Sequence, residues 1–271
     1  MRLFQRLTRT VVLLAICASV ALAIAAQDRR AQGEGLLERA FSGKARVVEL
    51  SHDLSADTPT FGGERDAFRY EKLSSIDRDG YASGAVRMPE HFGTHVDAPG
   101  HFIQGGATID RIDVRRFIAP AVVIDIRKQA QANADYRLTV ADLQAWERGG
   151  RIPAGAAVLL LTGWDKRYGD WNQYRNPDKD GVLHFPGYSE EAITYLTTRN
   201  VVALGIDTLS IDYGPSKDFA GHRRSHAKGL YHIENMTRLD ELPARGAAIF
   251  VGPLAIANGS GSPARVLAIV P

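Results

Sequence analysis

Five short apolar runs constrain the fold of this chain more than any other feature of its sequence. They are four to six residues long, most are rich in β-branched residues, and Gly, Pro or Asp residues interrupt the chain between them. Runs of this length favour buried strands over helices, which usually need about ten residues or more. The predicted strands are 121–124, 157–161, 201–206, 247–251 and 266–270.

Two helices are predicted between these strands. Thr139 fits the N-cap of a helix that stops at Gly149, and Ser189 opens a second helix that stops near Asn200. Alternation of strand, helix and strand favours an α/β fold: a single domain with a mixed β-sheet core and flanking helices. The Gly- and Pro-rich segments on either side predict additional hairpins.

The first 26 residues have the three parts of a secretory signal peptide. Arg2, Arg6 and Arg9 form a basic leader, and residues 11–26 are an almost unbroken apolar run that ends in small residues. This run is shorter than the roughly 20 apolar residues of a membrane span. Residues 1–26 are therefore predicted to be removed on export, leaving a periplasmic or secreted protein without stable membrane association. An uncleaved N-terminal anchor is the alternative.

Removal of the signal peptide changes the chemistry available to the chain. The only cysteine, Cys17, lies within it, so the mature protein would have no disulfide, thiolate ligand or cysteine nucleophile. The net charge would fall from +2 to −1, because three arginines and no acidic residue are lost. A near-neutral chain with scattered charges has no electrostatic footprint for nucleic acid. Residues 27–43 are predicted to be a linker, with a short helix possible at 36–41, and residues 44–271 one domain.

The densest group of metal-ligand residues lies in residues 89–102. His91, His95, Asp97 and His101 all fall within this segment. Imidazole nitrogens beside a carboxylate suit zinc, manganese or iron, whereas calcium and magnesium prefer all-oxygen sites. One histidine alone is more often an ordinary structural residue. Three histidines and an aspartate this close together favour a metal site.

Geometry requires this segment to curl. On a straight strand His91 and His95 would lie about 13 Å apart, too far to share one ion. On a helix Asp97 would point away from them, and Gly93 disfavours a helix there. Gly93 supplies freedom to bend, and the Pro-Gly pair that follows Asp97 can return His101 toward the ion. The spacing differs from the helical His-Glu-x-x-His of metalloproteases.

Residues 91–101 carry the pattern His-x-Gly-Thr-His-x-Asp-x-Pro-x-His, which resembles the signature of the cyclase family of metal hydrolases. That family includes bacterial kynurenine formamidase and isatin hydrolase, and the resemblance implies its swivelling β/β/α fold. It covers the chain from residue 48 to the C-terminus. Further matching stretches are Leu-Thr-Gly-Trp at 161–164, Phe-Pro-Gly at 185–187, Gly-Ile-Asp-Thr-Leu-Ser-Ile-Asp at 205–212, Phe-Val-Gly-Pro at 250–253 and Ser-Pro-Ala-Arg-Val at 262–266.

By this resemblance His91, His95 and Asp97 are expected to bind a divalent ion, manganese or zinc, and His101 to act as the acid–base. A divalent ion lowers the pKa of bound water from roughly 15.7 to about 7 and polarises an amide carbonyl. Proton transfer by a positioned histidine contributes roughly 10²–10⁴-fold. No serine nucleophile is needed. Gly-x-Ser-x-Gly is absent, and residues 259–262 are predicted to be a flexible loop.

The family often places a further histidine twelve residues before a glutamate, and His222 and Glu234 have that spacing. His226 and His232 lie in the same region, so His226 is an alternative to His222 as a ligand. The pair either holds a second ion or only shapes the pocket, and one or two ions are therefore expected. Relatives are commonly dimers or tetramers, so the resemblance also implies a homo-oligomer.

Three aromatic residues are candidates for binding a small-molecule substrate. Phe61 follows a Thr-Pro pair at a place where relatives carry an aromatic residue. Phe102 and Trp164 are further candidates, and core packing is the alternative role for all three.

Together these features predict an exported metal-dependent hydrolase that opens a carbon–nitrogen amide bond in a small aromatic or cyclic substrate. That bond belongs either to a linear formamide or to an isatin-type ring amide. The alternative is an exported non-catalytic metal- or ligand-binding protein on the same scaffold. His101 counts against this alternative, because a binding site has no need of such a base.

Overall fold

The structure is a computed structural model that describes residues 35–271. The predicted signal peptide, 1–26, and residues 27–34 of the predicted linker lie outside the described residues. Leu36–Phe41 form a short helix, as predicted, in the unit that ends at Ala45. The compact unit that follows runs from Arg46 to Pro271 and carries all the features described below. Within residues 35–271 no helix is long and apolar enough to cross a membrane.

The compact unit is built mainly from strands, and all five predicted strands are present. The strands are β1 (Arg46–Glu49), β2 (Arg69–Ser74), β3 (Ser83–Arg87), β4 (His95–Asp97), β5 (Ile118–Asp125), β6 (Arg137–Leu138), β7 (Ala157–Leu161), β8 (Gly187–Tyr188), β9 (Ala203–Ile206), β10 (Tyr231–Glu234), β11 (Ala248–Pro253) and β12 (Gly261–Val270).

Eight of these strands form one mixed sheet, which confirms the predicted α/β class. The order is β1-β12-β11-β5-β7-β9-β10-β4. β5, β7, β9 and β10 run parallel, whereas β11, β12, β1 and β4 pair antiparallel with their neighbours. β4 also pairs with the first residues of β12, so the series of pairings closes on itself like a barrel. This closure was not predicted, because the three-residue β4 has no strand signature in the sequence.

Seven α-helices lie among the described residues. They are α1 (Leu36–Phe41), α2 (Ile76–Asp79), α3 (Arg127–Ala132), α4 (Val140–Glu147), α5 (Trp171–Arg175), α6 (Glu190–Thr197) and α7 (Ala220–His226). The two predicted helices correspond to α4 and α6. Each begins at its predicted cap, because the hydroxyl of Thr139 accepts from the Asp142 N–H and that of Ser189 from the Ala192 N–H.

The parallel strands are buried on both faces, which explains their unbroken apolar runs. In β7, Leu159 and Leu161 pack into one cluster with residues of β4, β11 and β12, whereas Val158 and Leu160 pack into another. The second cluster includes Leu143 of α4 and Ile193 of α6. Alternate residues of β7 therefore point to opposite faces of the sheet. Val158 and Leu160 pack against the helices, whereas Leu159 and Leu161 pack with β4, β11 and β12.

A carboxylate at the end of α4 holds α6 in place. Glu147 accepts hydrogen bonds from the Arg199 guanidinium, from the Tyr195 hydroxyl and from the Ile152 N–H. The Arg199 hydrogen bonds lower the pKa of Glu147 to about 2. We expect Glu147→Gln to lower the free energy of unfolding at pH 7 by about 1.5–3 kcal/mol, the usual loss for hydrogen bonds to a charged group.

The pH dependence of this loss follows from the lowered pKa. A carboxylate whose pKa is lowered on folding stabilises the protein above its unfolded pKa, here 4.5, and this contribution is lost as the pH falls toward 2. Urea unfolding should therefore show a large difference between the native protein and the Gln variant at pH 7 and a much smaller one near pH 2. The exposed Glu71→Gln should match the native protein at both pH values. An equal loss for both variants would contradict the prediction.

Candidate metal centre

Closure of the sheet brings the metal-ligand residues together. In β4, His95 lies opposite Glu234 and Asp97 lies opposite His232, both on β10. On its other side β4 pairs with residues 261–263 of β12. The backbone of β4 is thus held from both sides. The predicted ligands His95 and Asp97 of the histidine segment therefore lie beside the predicted ligand Glu234, which is more than 130 residues later in the sequence.

The segment before and after β4 curls as predicted. Gly93 has φ +59°, a conformation that residues with a side chain rarely adopt, and a Cβ there would lie 2.3 Å from Leu54 Cδ2, so the bend favours glycine. A 3₁₀ turn over Pro99–His101 then reverses the chain. As a result, the His101 ring stacks on the His91 ring with centroids 3.9 Å apart.

Asp97 is the centre of the cluster and is fully buried. Its Oδ1 lies 2.5 Å from His91 Nδ1 and 3.1 Å from His95 Nε2. Its Oδ2 lies 3.1 Å from His222 Nε2. The structure therefore brings all three ligands expected from the motif to one point, together with His222.

Glu234 closes the cluster on the opposite side. Its Oε2 lies 3.5 Å from His95 Nε2 and its Oε1 lies 3.3 Å from His222 Nε2. The Ile211 N–H donates to Oε1 at 2.8 Å and orients the carboxylate. The alternative ligand His226 instead directs Nδ1 to the carbonyl oxygen of Leu230 at 2.9 Å. Of the two histidines, His222 is the one that contacts both carboxylates.

The hydrogen bonds behind His91 determine which of its nitrogens carries hydrogen. Ser260 donates its hydroxyl to Glu90 Oε2 at 2.6 Å, so Ser260 Oγ accepts from His91 Nε2 at 2.9 Å. His91 Nδ1 is then left with a lone pair directed at Asp97 Oδ1. Two acceptors this close require a cation or a proton between them.

Hydrogen bonds also determine which nitrogen carries the lone pair in His95 and His222. His95 Nδ1 donates to the carbonyl oxygen of Gly93 at 2.8 Å, and His222 Nδ1 donates to the Asp212 carboxylate at 2.6 Å. Their Nε2 lone pairs therefore face Asp97 and Glu234. Histidine ligands in proteins are usually oriented by such a hydrogen bond from the other ring nitrogen. The donor set and its orientation fit a divalent transition metal.

The charges of these groups depend on one another. Burial opposes a charge on His95, yet the facing carboxylates of Asp97 and Glu234 raise its pKa to about 9. Burial likewise opposes a charge on Asp97, yet His95 and His91 hold its pKa well below the usual range. For Glu234, burial and the neighbouring Asp97 together raise the pKa. A metal and protons therefore compete for the same lone pairs.

His101 lies beside this cluster and has a different environment. It is exposed at the mouth of a cavity and makes ring contacts with His91 and Phe102. Partial burial, opposed by Asp97 and reinforced by His91, lowers the pKa of His101 to about 4. Its imidazole is therefore neutral near pH 7 and able to accept a proton.

A cavity of about 320 Å³ lies over the cluster. Its polar lining residues include His91, His95, Asp97 and His101, and much of the rest of its lining is apolar. The walls include Phe61, Phe102, Phe219 and Leu209. Phe61 is 41 % exposed, with its ring 5.9 Å from that of Phe219. Of the three aromatic candidates, Phe61 and Phe102 line the cavity.

Trp164 does not line this cavity, so the expectation that it contacts the substrate is not met. It is 2 % exposed and packs in a small core with Tyr174, Phe185 and Leu209. Its indole N–H donates to the carbonyl oxygen of Tyr174 at 2.7 Å. A fully packed and hydrogen-bonded indole is a core residue, which was the alternative role.

Three residues around the cluster were not predicted to take part in it. Ser260 lies in a Gly-Ser run that suggested a flexible loop, but β12 starts at the next residue, and Ser260 itself holds His91. Asp212 ends a buried run, where capping a turn is the common role, yet it orients His222. His232 lies directly opposite Asp97. For His232 the sequence signal was the crowding of histidines between residues 222 and 232, and for Asp212 it was the matching stretch at 205–212.

Comparison with known proteins agrees with this geometry. The sequence model of the family described as "Putative cyclase" matches residues 48–213, more than half of the chain. The chain belongs to the cyclase family. An isatin hydrolase of Roseibium aggregatum is 37 % identical over 255 residues, which are 88 % of this chain and 96 % of that protein. A kynurenine formamidase of Bacillus thuringiensis is 27 % identical over 221 residues, which are 81 % and 95 %.

Solved structures of cyclase-family proteins agree with the fold. Isatin hydrolase A from Ralstonia solanacearum superposes with a TM-score of 0.81 at 41 % identity, covering 87 % of this chain and 96 % of that one. With these relatives and the His/Asp cluster, the chain is a metal-dependent hydrolase of carbon–nitrogen amide bonds other than peptide bonds.

Proposed function

We propose that this cyclase-family hydrolase opens the ring amide of isatin-type substrates, which carry a five-membered lactam fused to a benzene ring. The observation that supports it best is the cavity, whose lining combines Phe61, Phe102 and Phe219 with residues of the His/Asp/Glu cluster. Identities of 37–41 % with isatin hydrolases, against 27 % with a kynurenine formamidase, support the same choice.

The proposed metal ligands are His91, His95 and Asp97, with His222 and Glu234 completing the group. The mixed imidazole and carboxylate donors favour manganese or zinc. When bound, such an ion supplies Lewis acidity toward the amide carbonyl and acidifies a bound water.

The remaining steps belong to side chains of the cavity. His101 is the proposed base that takes a proton from the attacking water and returns it to the departing ring nitrogen. Phe61 and Phe102 hold the benzene ring by apolar contact, which fixes the lactam beside the metal ligands. The nitrogen stays attached to the benzene ring after cleavage, so a single product opened at the lactam is expected.

The test is hydrolysis of a substrate panel by the purified protein. We expect turnover of isatin and ring-substituted isatins after loading with manganese or zinc, and loss of turnover when a chelator removes the metal. Linear aryl formamides, including N-formylkynurenine, are the second candidate class, favoured by the kynurenine formamidase relatives. Faster turnover of formamides than of isatins would overturn the choice of substrate. Metal binding without cleavage of any panel member would favour the non-catalytic alternative.

Phe61 provides a test of substrate contact. We expect Phe61→Ala to raise KM for isatin about 10-fold with a smaller change in kcat. The Phe61 ring contacts the substrate equally in the bound state and in the transition state, so its removal weakens both alike. Steady-state kinetics over a range of isatin concentrations measure both constants. Val114→Ala, at an exposed apolar residue away from the cavity, should leave both unchanged. An unchanged KM for the Phe61 variant would place the substrate elsewhere.

We also propose that the protein is a homo-oligomer. β2 and β3 form an isolated two-stranded sheet that exposes Tyr70, Leu73 and Val86, and such a hairpin is marginally stable alone in water. A second copy of the chain is the proposed cover of this hairpin, and light scattering during gel filtration measures the number of chains in the assembly.

Export to the periplasm or the medium remains a proposal based on residues 1–26, to be checked by cell fractionation.

A further inference from the structure

Residues 57–65, here called the Phe61 loop, carry Phe61 to the cavity and contain no helix or strand. A turn within the loop is closed by Thr60, whose carbonyl and hydroxyl oxygens accept from the Gly63 N–H at 3.3 and 3.0 Å. The Thr60 hydroxyl also donates to the carbonyl oxygen of Glu64 at 3.3 Å. These hydrogen bonds shape the turn, but contacts with another element are needed to place it beside the metal ligands.

Helix α5 (Trp171–Arg175) is anchored next to the metal cluster. With five residues it is too short to be stable on its own, so its contacts hold it in place. Tyr174 is fully buried, and its hydroxyl donates to Asn235 Oδ1 at 2.8 Å. Asn235 directly follows the proposed metal ligand Glu234 and lines the cavity. The helix is therefore fixed at the end of β10, beside the residues that would bind the metal.

From this position α5 holds the backbone of the Phe61 loop at two points. The indole N–H of Trp171 donates to the carbonyl oxygen of Asp57 at 2.8 Å. The Arg175 guanidinium donates through Nη2 to the carbonyl oxygen of Phe61 itself at 3.1 Å. Hydrogen bonds with a charged donor are the stronger kind, so the contact at Phe61 is the firmer of the two.

Packing between side chains and the loop reinforces these hydrogen bonds. The Arg175 guanidinium lies against Gly63, where an added Cβ would lie only 3.1 Å from its Cζ. On the other side, the Arg65 guanidinium lies 4.3 Å from the centroid of the Trp171 ring, within the range of a cation–π contact. The Phe61 loop and α5 therefore form one packed unit that is joined to β10.

We propose that Arg175 and Trp171 are positioning residues for the substrate, which hold the Phe61 ring in place beside the metal ligands. Neither side chain lines the cavity, so both act through Phe61. A ring that is held before the substrate arrives loses less conformational freedom on binding, and this lowers KM. The inference rests on the proposed function in one respect, namely that Phe61 contacts an isatin-type substrate.

The variant Arg175→Met tests this role, because Met fills similar space but cannot donate to the Phe61 carbonyl. We expect KM for isatin to rise about 5-fold, the usual scale for ordering a loop, with native kcat and native metal content. In the double variant Phe61→Ala, Arg175→Met, KM should equal that of Phe61→Ala alone, because two residues that act through one contact are not additive. Steady-state kinetics with isatin measure all three variants.

Two further variants separate positioning from general destabilisation. Trp171→Phe removes the N–H that donates to Asp57 but keeps an aromatic ring, and it should also raise KM only while Phe61 is present. Arg115→Met, at an exposed arginine that pairs with Asp113, should have native KM. Hydrogen exchange followed by mass spectrometry should be faster in the Phe61 loop of both loop-contact variants and unchanged in the control. Circular dichroism establishes that each variant is folded.

Several outcomes would overturn the positioning role and leave the proposed function intact. They are native KM in folded Arg175→Met, a KM in the double variant near the product of the two single changes, about 50-fold, and native exchange of the Phe61 loop in both loop-contact variants. Native KM in Phe61→Ala, or no turnover of isatin by the native protein, would instead overturn the proposed substrate contact. Hydrogen exchange would then still decide whether α5 holds the loop.

Discussion

Replacing Asp97 with Asn is expected to remove the bound metal and to lower kcat/KM for the preferred substrate by about 10³-fold or more, since metal activation is worth several kcal/mol. Asn keeps the shape of Asp but loses the charge that faces four histidines. Asp97 contacts His91, His95 and His222 at once, and no other described side chain takes that position. Metal analysis and steady-state kinetics on the same preparation measure both losses.

The control for this variant is Asp113→Asn. Asp113 caps a 3₁₀ turn at the surface and pairs with Arg115, away from the cavity. The Asp113→Asn variant should retain the native metal content and the native kcat/KM. If Asp97→Asn were folded, carried native metal and turned over substrate at the native rate, the cluster would not be the centre of the reaction.

His101→Ala is expected to lower kcat by roughly 10²–10⁴-fold, the usual contribution of a positioned acid–base. The metal should be retained, because the group around Asp97 and Glu234 keeps its contacts without His101. The His101 variant is therefore expected to lose activity and keep its metal, whereas the Asp97 variant is expected to lose both. Rapid kinetics with isatin and metal analysis measure the two quantities.

His184→Ala is the matched control, because His184 pairs with Asp135 outside the cavity. It should have native kcat and native metal. Loss of metal from the His101 variant would make His101 a ligand instead of a base. Native kcat in that variant would mean that the proton passes through another group.

The regular elements were predictable because their information is local. The β7 run and the capping residues Thr139 and Ser189 define their elements within a few neighbouring residues. Closure of the sheet was not predictable, since it depends on β4 pairing with β10 and β12. No residue within β4 indicates those partners, because its sequence is set by the site.

The cluster was only partly predictable for a related reason. His91, His95 and Asp97 are close in sequence and indicate a common role. Ser260 and Asp212 act through single hydrogen bonds that only the folded chain creates. Trp164 was placed wrongly at the substrate because an aromatic residue in a matching stretch has the same sequence whether it packs in the core or lines a cavity.

The long sequence separation within the cluster has a consequence for when the enzyme can bind its metal. His91 is held by Ser260, 169 residues later, and β4 is fixed by the final strand of the chain. Contacts of such high order form late and slowly. A ribosome-bound chain therefore has no finished coordination sphere, and the ion is acquired only after synthesis ends, from whichever compartment the polypeptide folds in.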